Sequence, residues 1–249
     1  SYEAAAPAFL KNEAYDPDAA VAEALSRAAG PGRGPVVIAD TQDNPGAGGV
    51  SATTGMLRAL VKAEAQNAAI GLIVDPATAE AAHLAGVGAD VNVALGGHAS
   101  VTNDAPFQTT ATVMHLSDGT LRATGPYYGG TALNLGPSAC LRIGGVHVVV
   151  TSRIAQMADR EMFRFVGIQP EEMDLLVVKS STHFRADFAP IARDILVACA
   201  PGPMPLNPAD LPFTRLRAGL RLSPNGPRFG ANGAQSAPPD QGGKTALAQ

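Results

Sequence analysis

Unbroken apolar runs alternate with helical segments between residues 36 and 95, and this alternation most limits what the chain can fold into. Val36–Ala39 and Ile70–Val74 carry no polar side chain, which is typical of strands covered on both faces. Val91–Leu95 is a third predicted strand, closed by two glycines. The intervening segments, Thr53–Lys62 and a stretch from Asp75-Pro76 to Gly86, predict helices. This β-α-β-α-β order favours an α/β fold with parallel strand pairing.

Antiparallel additions are predicted downstream. Phe107–Leu116 and Thr120–Thr124 flank Asp118-Gly119, and Cys140–Ile143 and Val146–Val150 flank Gly144-Gly145. Both dipeptides suit two-residue hairpin turns. Further predicted elements are a helix from Pro17 to Ala29, a short helix from Asp159 to Phe165, strands Asp174–Val178 and Ile195–Cys199, and a helix Ala186–Arg193. The predicted class is α/β, a mixed sheet with a parallel β-α-β core, antiparallel hairpins and helices on its faces.

Composition argues against several classes of protein. The 249 residues carry a net charge of −4 and no basic stripe, which disfavours nucleic-acid binding. No apolar run approaches the roughly 20 residues of a membrane span. The two cysteines, Cys140 and Cys199, are too few for a disulfide framework. Because the start also lacks a signal-like segment, the cytoplasm is the expected location.

Polar loops follow three of the predicted buried strands. In α/β sheets, ligands bind beyond the carboxyl ends of the strands, so these loops are candidates for one shared site. They begin at Asp40, Thr151 and Lys179. The candidate substrate-binding residues are Asp43, Asn44, Arg153, Lys179, Ser181 and Arg185, and the candidate catalytic residue is His183.

The loops also allow other interpretations. The glycine-rich loop 45–49 could be a strand-to-helix turn in which Asp40 or Asp43 caps backbone N–H groups, a wall of a substrate site, or a phosphate cradle. The phosphate interpretation lacks the G-K-[ST] signature of a phosphate-binding loop. The loop 179–185 could be a solvated turn anchored by Phe184. Alternatively, it is a pocket in which two cations hold a carboxylate and His183 donates a hydrogen bond or transfers a proton.

No metal site is predicted within this chain. Its five histidines form no H-x-H, H-x-x-H or H-E-x-x-H pair. The predicted hairpins place His115 opposite Arg122 and His147 opposite Arg142, and a guanidinium across a strand pair disfavours a divalent cation there.

An ordered set of motifs resembles the C-terminal half of the microcystinase C family, a family of zinc metallopeptidases. The likeness runs from about Asp16 to about Leu222. Its motifs are Asp40-x-x-Asp43-Asn44-Pro45-Gly46-x-Gly48-Gly49, Asp75-Pro76, Ala85-Gly86-x-Gly88-Ala89, Gly96-Gly97, Thr151-x-Arg153-x-x-Gln156-x-x-Asp159, Val177-Val178-Lys179-Ser180-Ser181-x-His183-Phe184-Arg185 and Phe188-Ala189-Pro190-Ile191-Ala192. The chain departs from the family at Ala52, where members often carry an aspartate.

The resemblance implies that the chain is part of a larger enzyme, which hydrolyses linearised microcystin or similar small peptides. The zinc ligands would lie in an N-terminal half outside this chain. Residues 1–30 would be a helical segment that links to that half, residues 31–222 the α/β domain, and the Gly/Pro-rich residues 223–249 a flexible tail. Expected partners are the small peptide substrate and the N-terminal half, with a homo-oligomer left open. The alternatives are a non-catalytic structural domain of the same enzyme and a phosphate- or nucleotide-binding enzyme that uses loop 45–49.

Overall fold

A computed structural model describes residues 13–223, 228–230 and 245–246 of the chain. The strands are β1 (Glu13–Ala14), β2 (Val36–Asp40), β3 (Ala68–Val74), β4 (Asp90–Leu95), β5 (Phe107–Ser117), β6 (Thr120–Arg122), β7 (Ala132–Asn134), β8 (Ser138–Ile143), β9 (Val146–Thr151), β10 (Leu175–Val178), β11 (Asp194–Ala198) and β12 (Thr245–Ala246). The helices are α1 (Pro17–Ala29), α2 (Gly55–Lys62), α3 (Pro76–Ala85), α4 (Glu161–Arg164) and α5 (Arg185–Phe188).

The described residues build one eight-stranded mixed sheet in the order β11-β2-β10-β3-β9-β8-β5-β4. Strands β11, β2, β10, β3 and β9 run parallel. Strands β9, β8, β5 and β4 pair antiparallel. The predicted α/β class with a parallel core and antiparallel additions is therefore confirmed.

Two hydrophobic layers cover the parallel strands. Alternate residues of β2 enter different core clusters: Val36 and Ile38 pack on the side of α1, α2 and α3, whereas Val37 and Ala39 pack on the side of α4 and α5. All of β2 is buried, because a side chain of either parity meets a packed layer. The long apolar runs of the sequence thus follow from burial on both faces.

Carboxylates begin the two longest helices, as the sequence predicts. Asp16 accepts a hydrogen bond from the Ala19 N–H at the start of α1, and Asp75 accepts one from the Thr78 N–H at the start of α3. Each is followed by a proline in the first turn, where no N–H donor is needed.

The predicted hairpin around Asp118-Gly119 is wrong. Strand β5 pairs with β4 on one edge and β8 on the other, so no edge remains for β6. The chain does turn at Asp118, which accepts a hydrogen bond from the Thr120 N–H, but β6 then pairs with β7 in a separate two-stranded sheet. His115 consequently lies opposite Cys140 and not opposite Arg122. The second hairpin is confirmed, with Arg142 opposite His147.

The helix predicted over Ala186–Arg193 is shorter and begins one residue earlier. Helix α5 ends at Phe188, because Pro190 has no N–H with which to continue the helical hydrogen bonds. The backbone continues in turns that return Ile191 and Ala192 to the Phe188 carbonyl.

The predicted division of the chain stays a prediction. The helix expected in segment 1–30 is α1, and residues 1–12 lie outside the described residues. Of the predicted tail 223–249, only 223, 228–230 and 245–246 are described, and β12 pairs with β1. Among the helices that are described, none combines the length and the apolar character needed to cross a membrane.

Candidate functional site

The three predicted polar loops meet at the carboxyl edge of the parallel strands. The Asn44 side-chain amide, after β2, donates to Ser181 Oγ, after β10, over 2.8 Å. The Gln156 side-chain amide, after β9, donates to Ser180 Oγ over 2.7 Å. Strand β3 separates β9 from β10 in the sheet, so the loop after β9 reaches across it. Loops from distant parts of the sequence therefore form one continuous edge.

A buried ion cluster lies beneath this edge. Lys179 Nζ lies 2.8 Å from Asp40 Oδ2, 2.9 Å from Asp43 Oδ2 and 3.0 Å from Thr53 Oγ1. The Lys179, Asp40 and Asp43 side chains are all 0% exposed. The three partners account for the three N–H bonds of the ammonium group. Lys179 is thus committed to the interior, and the geometry gives it a positioning role.

The two carboxylates of the cluster differ in their electrostatics. Burial raises the pKa of Asp40 above its usual value despite the charge of Lys179, and its Oδ1 has no hydrogen-bond partner in the described structure. Burial acts in the same direction on Asp43, but the Lys179 charge and the hydrogen bonds from Thr53 outweigh it and hold the pKa of Asp43 below its usual value. The Asp40 and Asp43 charges likewise raise the pKa of Lys179 against the effect of burial.

Asp43 organises the glycine-rich loop from within. Its carboxylate accepts hydrogen bonds from the backbone N–H groups of Val50, Ser51 and Thr53 at 2.7–2.9 Å. These contacts confirm the capping interpretation for Asp43. The N–H groups of residues 46–49 donate within the loop itself, to Asn44 Oδ1 and to the Asn44 and Pro45 carbonyls. Because these are the amides that a phosphate cradle would need, the geometry does not support the phosphate interpretation of this loop.

Asn44 and Gly49 complete the loop. Asn44 Oδ1 accepts from the Gly46 N–H and begins a 3-10 turn over Pro45–Ala47. A Cβ on Gly49 would lie 2.6 Å from the backbone N of Asn44, which is closer than real atoms approach. The glycine at this position is therefore a requirement of packing.

His183 is exposed and held from two sides. Its Nδ1 lies 3.2 Å from Gln156 Oε1, and its ring stacks on Tyr127, with centroids 4.3 Å apart and planes 22° apart. The Tyr127 side chain is itself 42% exposed. Phe184, the next residue, is fully buried, which confirms the predicted anchor of this loop.

A neighbouring loop carries Tyr127 to this place. Gly125 donates its N–H to Asp159 Oδ2 over 2.7 Å, and the Tyr128 hydroxyl donates to the Gln156 carbonyl over 2.8 Å. Burial raises the pKa of Tyr128 to about 12, so this hydroxyl remains a donor. Sequence reasoning missed Tyr127, because nothing in the pattern links residues 125–131 to the strand ends. Gln156 could have been found, since it follows β9 within a quoted motif.

The two candidate arginines lie apart from the buried cluster. Arg185 is exposed, with its guanidinium carbon 5.4 Å from the centre of the Phe184 ring. Arg153 is also exposed and donates to Asn134 Oδ1 over 3.0 Å. No hydrogen bond within the described part of the chain joins Arg153 to the other candidate residues. Asp43 with Lys179, and Asn44 with Ser181, are the predicted residues that the fold brings into contact.

The described residues do not provide a metal centre. Among them, no group of three or more His, Cys, Asp and Glu side chains is arranged to hold an ion. Burial and the Arg142 charge lower the pKa of His147, and its Nδ1 contacts the Cys140 sulfur at 3.6 Å. A zinc ion does not fit any donor set seen here.

Comparison with known proteins identifies the family to which the chain belongs. The family described as "MlrC C-terminus" matches residues 38–215. The chain belongs to this MlrC C-terminal family. Microcystinase C of a Sphingomonas species is 26% identical over 162 residues, which cover 65% of this chain and 31% of that protein.

A solved relative has the same fold as this MlrC C-terminal chain. The crystal structure of a protein from Mesorhizobium sp. BNC1, described as a "putative metallopeptidase", matches with a TM-score of 0.71 and 27% identity. The match covers 79% of this chain and 39% of that one. The chain thus spans about a third of the curated relative and about two fifths of the solved one.

Proposed function

We propose that this chain is the C-terminal part of a metallopeptidase and that its carboxyl-edge loops form one wall of the peptide-binding cleft. The observation on which the proposal rests is the contrast within loop 179–185. Its first residue, Lys179, is locked in a buried ion cluster, whereas His183 and Arg185 are exposed. A rigid base that presents exposed polar groups is what substrate orientation requires.

The exposed residues have distinct proposed roles. Arg185 would hold a peptide carboxylate or carbonyl, since a guanidinium can grip a carboxylate with two parallel hydrogen bonds. His183 would form a hydrogen bond with the substrate or exchange a proton with it. Arg153 would contact a more distant part of the peptide. Asp43 and Lys179, predicted as substrate-binding, would act by fixing the loops that carry Asn44 and Ser181.

The substrate and the metal are finer points of the same proposal. The names of the relatives support a metal-dependent peptidase and an activity toward microcystin. The proposed substrate is linearised microcystin or a similar small peptide. Zinc is the proposed metal, and an N-terminal part of the enzyme, outside this chain, would bind it. Cytoplasmic location is also proposed, because Cys140 and Cys199 are free thiols, as a reducing compartment would leave them.

A non-catalytic structural domain is the second candidate. It is favoured by the internal use of Asp43 and Lys179 and by the contact of Arg153 with Asn134. In that case the polar edge would pack against the remainder of the enzyme and would touch no substrate.

Substitutions at the exposed positions distinguish the two candidates. In the whole enzyme, we expect Arg185→Lys to lower kcat/KM by about 5- to 150-fold, equivalent to roughly 1–3 kcal/mol for a lost charged hydrogen bond. His183→Ala should lower kcat. Both variants should melt within a few degrees of the parent, because both side chains are exposed.

Arg142→Lys is the matched control, since Arg142 is also exposed but lies on the antiparallel part of the sheet. Its kcat/KM should match that of the parent. If the Arg185 and His183 variants keep their specific activity and lose stability, the edge is a packing surface and the structural alternative holds.

A further inference from the structure

Gln156 is buried at the point where three loops of the carboxyl edge meet. Only 4% of it is exposed. Its side-chain nitrogen contacts Ser180 Oγ at 2.7 Å and its side-chain oxygen contacts His183 Nδ1 at 3.2 Å. Its backbone carbonyl accepts the Tyr128 hydroxyl. One residue thus touches the loop of His183 and the loop whose Tyr127 stacks on that imidazole.

We propose that Gln156 is a positioning residue that holds His183 in the tautomer with the proton on Nδ1. An amide oxygen can only accept a hydrogen bond, so the imidazole nitrogen that faces it must donate. In a neutral imidazole the other nitrogen, Nε2, then carries the free lone pair.

The orientation of the Gln156 amide follows from its contact with Gly46. A Cβ on Gly46 would lie 2.3 Å from Gln156 Oε1, so the Gly46 Cα–H bond in that direction points at this atom. An oxygen accepts such a contact weakly, whereas an amide N–H in its place would be repelled. The same contact explains the glycine, because any side chain at position 46 would displace the amide.

Tyr127 adds the second constraint on the imidazole. Its ring lies nearly parallel to the His183 ring at 4.3 Å between centroids, which restricts rotation out of that plane. Because the Gln156 carbonyl also holds Tyr128, a single residue sets both the hydrogen bond and the stack. The ring is therefore pre-organised before a ligand arrives.

The neutral amide partner has a chemical consequence, which rests on the proposed function. A carboxylate at this position would stabilise the imidazolium that forms when a histidine accepts a proton. An amide supplies no such charge, so it selects the tautomer of the neutral ring without stabilising the imidazolium. His183 would then meet the peptide with an Nε2 lone pair that accepts a hydrogen bond or a proton.

The tautomer can be measured on the 249-residue chain without substrate. Side-chain ¹H–¹⁵N correlation spectra at alkaline pH distinguish a protonated ring nitrogen from an unprotonated one, and His183→Asn assigns the signals. We expect wild-type His183 to show a protonated Nδ1 and an unprotonated Nε2. Gln156→Met, a neutral replacement of similar length, should shift His183 toward the Nε2–H form that a free imidazole prefers.

Two further variants control this result. Gln156→Glu keeps an acceptor oxygen and should retain the Nδ1–H form. Ser181→Ala removes the Asn44 contact without touching Gln156 and should leave the tautomer unchanged.

Two results would overturn the inference. The first is a wild-type chain that carries the His183 proton on Nε2, and this result does not depend on whether Gln156→Met folds. The second is a folded Gln156→Met variant in which the His183 tautomer is unchanged. Neither result bears on whether the edge binds peptide. Conversely, full activity of His183→Ala would remove the proposed role of the imidazole and leave its tautomer as measured.

Discussion

At the scale of single residues, the buried cluster shows how two aspartates three positions apart acquire different roles. Asp43 accepts four hydrogen bonds from residues 50–53 in addition to that from Lys179. The hydrogen bond that Asp40 accepts comes from Lys179, and its second oxygen has no partner among the described residues. The positive charge of Lys179 offsets the cost of burying both carboxylates. Asp43 also accepts hydrogen bonds from residues 50–53, whereas Asp40 does not.

Asp43→Asn should therefore destabilise the fold more than Asp40→Asn. Removing the Asp43 charge leaves Asp40 as the one carboxylate that faces Lys179 among the described residues and turns an amide nitrogen toward backbone donors. We expect a loss of about 3–5 kcal/mol in the free energy of unfolding, as for other broken buried ion pairs. Burial raises the pKa of Asp40 and so makes its charge less stabilising, and no backbone N–H among the described residues donates to it, so Asp40→Asn should cost less. Urea unfolding of both variants at neutral pH measures the difference, and equal losses would contradict it.

The difference in the free energy of unfolding between Asp43→Asn and Asp40→Asn should depend on pH. The pKa of Asp43 is lowered in the folded state from an unfolded value of about 3.9. Its charge therefore adds stability above that pH, and this stability is lost as the pH falls through the folded-state pKa. The difference between Asp43→Asn and Asp40→Asn should narrow in acid, and a gap that widens would mean that the Asp43 charge is not the cause.

Sequence reasoning found these residues but could not assign their environment. Asp40, Asp43 and Lys179 were conspicuous because polar residues follow apolar strands. Their contact depends on the pairing of β2 with β10, 136 to 139 residues apart in the chain. Only that pairing decides that Lys179 points into the interior and His183, four residues later, does not.

At the scale of elements, the two predicted hairpin turns show what local signals determine. Gly119 and Gly144 both adopt a positive φ, +84° and +59°, as expected for such turns. Gly144 joins two paired strands. Gly119 leads away from β5 because both edges of β5 are occupied, one by β4, which begins 17 residues before β5 begins, and the other by β8, which begins 21 residues after β5 ends. Turn chemistry is local, whereas the partner of a strand is set by the whole sheet.

These two glycines make a matched pair for mutation. A Cβ on Gly119 would lie 1.9 Å from the Gly136 carbonyl oxygen, whereas a Cβ on Gly144 would meet no atom within 4 Å. Alanine at either site incurs the backbone strain of a positive φ, about 1 kcal/mol. Only Gly119→Ala must also displace a backbone carbonyl, so it should lower the melting temperature clearly more than Gly144→Ala. Equal shifts would show that Gly136 yields freely.

At the scale of the whole molecule, the parallel core and the loops at its carboxyl edge were predictable because both follow from strand order. Apolar runs indicate strands covered on both faces, and parallel strands place their carboxyl ends together. The loop of Tyr127 was not predictable in this way. This loop connects β6 to β7, outside the main sheet. Gly125 holds it against the carboxyl edge by a hydrogen bond to Asp159, and Tyr128 does so by a hydrogen bond to Gln156.

The distribution of the histidines leads to a prediction for the complete chain. His83 contacts the Ser138 carbonyl, His98 contacts Ser100, His147 contacts Cys140 and His183 contacts Gln156. Of these neighbours, Cys140 alone is a residue type that binds zinc. With His147 it supplies two donors, whereas a zinc site takes three or four Cys, His or carboxylate ligands, and no such group of three occurs among the described residues. We expect the purified chain to retain no stoichiometric zinc after dialysis.

A chelator should accordingly leave the melting temperature unchanged, whereas removal of a metal that bound only the folded state would lower it. Elemental analysis and thermal unfolding with and without EDTA make the measurement, and a mutant is not needed. The described residues hold no metal-binding group, so the result also tests the remainder of the chain. One tightly held zinc ion per chain, with a melting temperature that falls on chelation, would place a metal site here and would contradict the proposal that zinc binds elsewhere in the enzyme.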